Sequence, residues 1–326
     1  MPAITALIFS IWLAAARADD KKVVAYIPRA RDFETYAKTI DYEKLTHINI
    51  AFENPTSDQG ELSYQTNNDA LITRAHAHNV QVLVSIGGGG VADNARMKAR
   101  YFELISERKR AGFVARVAAY LVDHHLDGLD VDIEGPSINN DYGALIHDLS
   151  LALKPKKLLL TAALSEGYGG DRVPASTFAE FDFVNLMAYD ATGPWNPREP
   201  GQHSSREFAE KTVAYWLKRG LPRSKMVLGV PFYGYGFGKA FNRGGYTYAE
   251  ILAKYPGADR LDQVGDTIWY NGLPTIEAKT RFVIDQGLAG IMIWSLNQDA
   301  KGEQSLLGAI ARTLKVQSPR PSTGSP

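Results

Sequence analysis

The sequence predicts an α/β fold, a TIM (β/α)8 barrel. Eight short apolar runs rich in β-branched residues alternate with helical patterns along the chain. The rival, an open doubly wound sheet, lacks its nucleotide fingerprint: Gly87-Gly88-Gly89-Gly90 follows a strand, but no Lys-Ser or Lys-Thr comes after it. One of the eight runs also carries acidic residues at every second position, at the end of a strand where barrel sites are built.

The runs are Val23–Ile27, Thr46–Phe52, Gln81–Ile86, Gly128–Glu134, Leu158–Leu164, Phe183–Tyr189, Met226–Phe232 and Gly290–Ser295. Most are near-continuously hydrophobic, as parallel strands covered by helices must be. Helical periodicity falls between them at Asn68–His78, Arg96–His124, Tyr142–Leu153, Ser205–Lys218 and Thr275–Gln286, and after them at Glu303–Leu314. Glu34–Lys44 is the segment available for the first helix. The Gly87–Gly90 run reads as a structural turn with close backbone approach.

Composition narrows the function. Lys plus Arg equals Asp plus Glu at 36 each, so no basic excess exists to neutralise phosphates, and a neutral substrate fits better than nucleic acid. The chain has no cysteine, which excludes disulfides and thiolate metal sites. Residues 6–16 are apolar apart from Ser10 and too short to span a bilayer. They end in Ala16-Arg17-Ala18 before a polar Asp19-Asp20-Lys21-Lys22. This reads as a signal peptide over residues 1–18 and a secreted product, with the barrel over 19–317 and a disordered Pro/Ser-rich tail over 318–326. No later segment is apolar for long enough to form a membrane helix, and a monomer is expected.

The fourth run reads Asp127-Gly128-Leu129-Asp130-Val131-Asp132-Ile133-Glu134. Side chains alternate across a strand, so Asp130, Asp132 and Glu134 share one face while Val131 and Ile133 pack outward. Carboxyls this close in a sheltered site cannot all ionise, so at least one proton is held among them. A metal site is the alternative, but no His can complete a ligand set. His124 and His125 precede the strand at the other end of the barrel, and His76 and His78 face apart on a helix. General acid catalysis fits better, with Glu134, last on the strand, as proton donor.

These residues resemble the family 18 chitinases, whose fourth strand carries Asp-x-x-Asp-x-Asp-x-Glu, matched here by Asp127, Asp130, Asp132 and Glu134. Ser85-Ile86-Gly87-Gly88 is similar to the family's Ser-x-Gly-Gly, Met187-Ala188-Tyr189-Asp190 to its Met-x-Tyr-Asp, and Trp294 to the tryptophan at the floor of its substrate site. The resemblance implies a retaining, substrate-assisted hydrolysis of N-acetylglucosamine polymers or oligomers without metal or cofactor. On it, Glu134 protonates the glycosidic oxygen and Asp132 holds the acetamido N–H, while Tyr189 orients the acetamido oxygen. Asp127 and Asp130 set the charge of Asp132, Met187 and Asp190 line the site, and Trp294 lies beneath the sugar in the −1 position.

Further aromatics sit where barrel loops belong: Tyr26, Phe52, Trp195, Tyr233 and Tyr235, with Trp195 expected on the leaving-group side. Two features depart from the family. Many members insert an α+β domain between strands seven and eight, but little or none fits here, residues 246–271 reading as its remnant. An open groove and endo-acting cleavage follow from that. The residue after the acid is Gly135, where many chitinases place an aromatic. An endo-β-N-acetylglucosaminidase acting on N-glycans, a peptidoglycan hydrolase and a non-catalytic chitin-binding lectin are the competing readings.

Overall fold

In a computed structural model of the chain, describing residues 21–29, 33–65 and 68–316, the eight apolar runs close into a parallel barrel. Its staves are β1 (Lys22–Pro28), β2 (His47–Ala51), β3 (Gln81–Gly87), β4 (Gly128–Asp132), β5 (Leu159–Leu164), β6 (Phe183–Leu186), β7 (Met226–Pro231) and β12 (Gly290–Trp294). The order around the barrel is β1-β12-β7-β6-β5-β4-β3-β2, so β5 stands opposite β1. The segments read as a signal peptide and a tail, 1–18 and 318–326, lie outside the described residues.

Strand alternation sorts two cores. Outward residues such as Leu129, Val131 and Ile133, at most 1% exposed, pack under the helices. A smaller inward cluster of Val24, Tyr26, Phe183, Val227 and Met292 fills the barrel. The same alternation turns Asp130 and Asp132 into the interior, where they are 0% and 3% exposed.

The helices are α1 (Phe33–Ala37), α2 (Asn68–Ala77), α3 (Gly89–Asp93), α4 (Ala95–Ile105), α5 (Arg110–Asp123), α6 (Tyr142–Leu153), α7 (Arg206–Lys218), α8 (Tyr248–Lys254), α9 (Leu273–Asp285) and α10 (Leu306–Val316). The long helix expected over Arg96–His124 is two. Ser106 turns extended at ψ 152 and its hydroxyl bonds the Glu103 carbonyl at 2.7 Å, while Glu107, Arg108 and Lys109 offer no apolar side chain to carry the helix on. The first helix is shorter than Glu34–Lys44, a single 3₁₀ turn covering Tyr42–Lys44. Ser205 caps α7, accepting from Phe208 N at 3.1 Å. Between β5 and β6 only 3₁₀ turns occur, at Gly170–Arg172 and Ala175–Ala179. Among the described residues no helix is long and apolar enough to cross a membrane.

No full domain interrupts β7 and β12. Residues 233–269 instead form a small antiparallel sheet, β10-β11-β8-β9, from β8 (Tyr233–Gly236), β9 (Tyr246–Thr247), β10 (Gln263–Val264) and β11 (Ile268–Trp269). With α8, whose capping box pairs Thr247 with Glu250, it makes a compact flap beside the barrel mouth. The sequence's remnant is therefore ordered.

Candidate active site

Asp130 lies deepest in the site. Its Oδ2 accepts from the Tyr26 hydroxyl at 2.6 Å and the Ser85 hydroxyl at 2.7 Å. Its Oδ1 accepts from the Thr161 hydroxyl at 2.6 Å and Asn185 Nδ2 at 3.3 Å. Register makes this possible, since Ser85 pairs with Asp130 and Asp130 with Thr161 across three neighbouring strands. Burial pushes the Asp130 carboxyl up, and these hydrogen bonds pull it back toward the charged form.

Asp132 lacks that support. Its Oδ1 is buried with no hydrogen-bond partner. Burial, then the charges of Glu134 and Asp130, raise its carboxyl well above the ordinary range. Asp132 is thereby held toward its neutral form. Glu134, at the strand's open end, is pushed up to about 7 by burial and by the charge of Asp190. A carboxyl that is half protonated near neutrality can donate a proton and later take one back.

Two glycines place this row against β3. A Cβ on Gly87, at φ 103, would lie 2.2 Å from the Asp132 carbonyl oxygen, and Gly88 N donates to that oxygen at 2.6 Å. A Cβ on Gly88 would strike the Phe52 ring at 2.5 Å. Gly87 and Gly88 thus make the close approach that the sequence suggested, while Gly89 and Gly90 open α3.

Tyr189, 8% exposed, stands at the end of β6 with its hydroxyl 3.8 Å from Met292 Sδ, a weak acceptor. Gly229 makes room for the ring, since a Cβ there would sit 2.9 Å from Tyr189 Cε1. Asp190 follows at φ 64, its Oδ1 accepting from the Tyr233 hydroxyl at 2.5 Å and lying 3.4 Å from His203 Nδ1. Met187 packs half-buried on the inward cluster. Trp294 is stacked on Phe52 at 5.7 Å and 24° and tilted over Tyr26 at 5.5 Å. Trp195, 61% exposed, stands edge-on to Tyr235 at 5.4 Å.

Two expected site residues fall elsewhere. Asp127 is not with the other carboxyls. Its odd position puts it on the outward face at the entry end of β4, where Oδ2 accepts from Val82 N at 2.6 Å and meets His76 Nε2 at 2.8 Å. Tyr26 is 1% exposed beneath Trp294 and supports Asp130 instead of lining the groove. Tyr233 stays with the site, its hydroxyl on Asp190 and its ring edge-on to Tyr189 at 6.2 Å. Thr161, Asn185 and His203 escaped the sequence reading. A signal for the first two was there: lone polar residues at inward positions of otherwise apolar strands.

A carboxyl raised to about 7 at the C-terminal end of a (β/α)8 barrel strand, with Trp294 and Phe52 stacked at the same mouth, is an arrangement suited to carbohydrate chemistry. Residues 22–299 match the family model described as Glycosyl hydrolases family 18, and the chain belongs to that family. Its fold is similar to a family 18 chitinase from the chitin utilization locus of Flavobacterium johnsoniae, with a TM-score of 0.84 and 36% identity over 90% of this chain and 94% of that one. A chitinase of Bacteroides thetaiotaomicron is similar at a TM-score of 0.79 and 29% identity, covering 90% and 96% of the two chains. Chitotriosidase-1 of Mus musculus is 27% identical over 92% of this chain and 79% of its own length.

Proposed function

We propose that the protein is a chitinase that hydrolyses β-1,4 links between N-acetylglucosamine units by a retaining, substrate-assisted reaction. One observation carries this reading above the others: Glu134, raised to about 7, stands two residues past a strand whose buried Asp132 presents an unpartnered oxygen. A glycosidase with an ordinary carboxylate pair would use the second carboxyl as nucleophile or base. Asp132, protonated and buried, is poorly suited to either task and well suited to hold an amide.

In the first step Glu134 gives its proton to the glycosidic oxygen, and the bond from that oxygen to the anomeric carbon breaks. The substrate's acetamido oxygen forms the new bond to that carbon from the opposite side, closing an oxazolinium ion. Tyr189 donates to the acetamido oxygen and aims it, a positioning effect. Asp132 accepts the acetamido N–H, and Asp130, two residues below and held by four hydrogen bonds, adds its field as positive charge grows. In the second step the Glu134 carboxylate takes a proton from water, whose oxygen opens the ring with net retention.

The small flap of residues 233–269 supports an open groove and endo-acting cleavage. Residues 1–18 support export as a signal peptide, and a monomer is proposed. The test is hydrolysis of acetylated oligomers beside their de-N-acetylated counterparts, with product anomers followed by NMR. Cleavage of the acetylated chain alone, with the β-anomer first, is expected. Equal cleavage of both would overturn the substrate-assisted step, and release of whole glycans from glycoproteins would favour the endo-β-N-acetylglucosaminidase.

A further inference from the structure

Tyr168 is one of the few large side chains left open to solvent, 45% exposed, and it stands beside the acid. Its loop follows β5 and runs Ser165-Glu166-Gly167-Tyr168-Gly169-Gly170. The loop is tied down at both ends. Glu166 pairs with Lys211 at 3.3 Å, and Arg219 donates to the Gly170 carbonyl and, at 2.6 Å, to that of Val173. The exposed ring therefore rides on an anchored segment, not on a loose one.

Its position is set by close backbone approach. A Cβ on Gly135, at φ 50, would fall 2.2 Å from Tyr168 Cζ and 2.3 Å from Cε1. The Tyr168 ring thus occupies the space that a side chain on the residue after Glu134 would fill. A Cβ on Gly169 would lie 2.8 Å from Gly135 Cα, so neither glycine tolerates replacement without parting the two segments. Gly135 N also donates to the Tyr168 carbonyl at 3.3 Å. Burial and the charges of Asp93 and Glu134 raise the Tyr168 hydroxyl, as proximity to both carboxylates requires.

The barrel order gives the ring its direction. Trp294 and Phe52 come from β12 and the end of β2, the two neighbours of β1. Tyr168 follows β5, diametrically across the mouth, with Glu134 on the adjacent stave. A chain whose sugar in the −1 position rests on Trp294 has its scissile bond at Glu134 and its next sugar toward Tyr168. Exposed aromatic faces stack on the apolar faces of pyranose rings.

We propose that Tyr168 binds the N-acetylglucosamine unit on the leaving-group side of the scissile bond, and so sets the preference for a sugar over a small leaving group. The proposal rests on the chitinase reading, and its test separates the two. Specificity constants are measured for wild type, Tyr168→Ala and Tyr168→Phe on the N-acetylglucosamine hexamer and on the disaccharide fluoride. Fluoride is too small to reach the ring. Binding of the hexamer is measured by calorimetry in the Glu134→Gln background, with and without Tyr168→Ala.

The expected result is a fall of about ten-fold in the ratio of kcat/KM on hexamer to kcat/KM on fluoride for Tyr168→Ala, with Tyr168→Phe restoring it. Hexamer binding weakens in parallel. An unaltered ratio and unaltered binding in a protein that does hydrolyse the hexamer overturn the proposal and leave the chitinase reading standing. No hydrolysis by wild type, with binding weakened by Tyr168→Ala, overturns the hydrolase and keeps the sugar contact. Absence of both hydrolysis and binding overturns both.

Discussion

Asp130 and Asp132 stand two residues apart on the inward face of β4, yet four side chains donate to Asp130 while Oδ1 of Asp132 is buried without a partner. Burial raises both carboxyls, but only Asp130 has hydrogen bonds that pull it back toward the charged form. Removing a donor from Asp130 should erode that division. Tyr26→Phe is expected to cost about 1–2 kcal/mol in denaturant unfolding and to lower kcat about ten-fold. KM should change less than kcat, since Tyr26 is buried beneath Trp294. A loss confined to KM would place Tyr26 in the groove instead.

The acid sets the alkaline edge of activity. Glu134, raised to about 7 by burial and by Asp190, must be protonated to donate, so kcat/KM should decline as pH rises through about 7. Asp190→Asn removes a like charge and should move that limb to lower pH. A limb that stays in place or moves upward in a pH–rate profile would contradict this coupling.

The same raised carboxyl has a stability consequence. The folded protein keeps the Glu134 proton up to about pH 7, whereas the unfolded chain releases it near the ordinary glutamate value of 4.5. Stability from this group is thus full below pH 4.5 and declines as pH rises through 7. Glu134→Gln should therefore be more stable than wild type by about 1–3 kcal/mol at pH 8, with the difference vanishing near pH 4. Equal melting temperatures for the two proteins at pH 8 would show that the group is not desolvated.

Asp127 predicts a contrast within one motif. It ties Val82 N and His76 at the entry end of the barrel, remote from the inward carboxyls. Asp127→Ala should cost about 1 kcal/mol of stability and reduce kcat far less than Asp132→Asn does. A comparable loss of kcat in the two variants would return Asp127 to the site.

The barrel was legible because its strands are buried on both faces and so are written as unbroken apolar runs, the fourth betraying its inward face by alternation. Glu134, Asp132 and Asp130 could be read from that alternation alone. Asp127 could have been excluded by it, since 127 and 130 differ in parity, but motif matching ignores which face a residue takes. Other features depend on contacts distant in sequence. Tyr26 ends a strand like a groove residue, and only the position of Trp294 above it decides otherwise. Thr161 and Asn185 acquire meaning only from register with Asp130. The break at Ser106 reflects a local hydrogen bond that helical periodicity does not encode. Tyr168 stands in an irregular Gly-rich loop, and its placement follows from a space at Gly135 that no pattern in sequence announces.

The most direct measurement is release of a fluorophore from short N-acetylglucosamine oligomers by the purified protein and by Glu134→Gln. Turnover by wild type that falls by about three orders of magnitude or more in Glu134→Gln, with oligomer binding retained, is the predicted result. Tight oligomer binding without turnover in either protein would contradict the hydrolase and make the barrel a chitin-binding lectin.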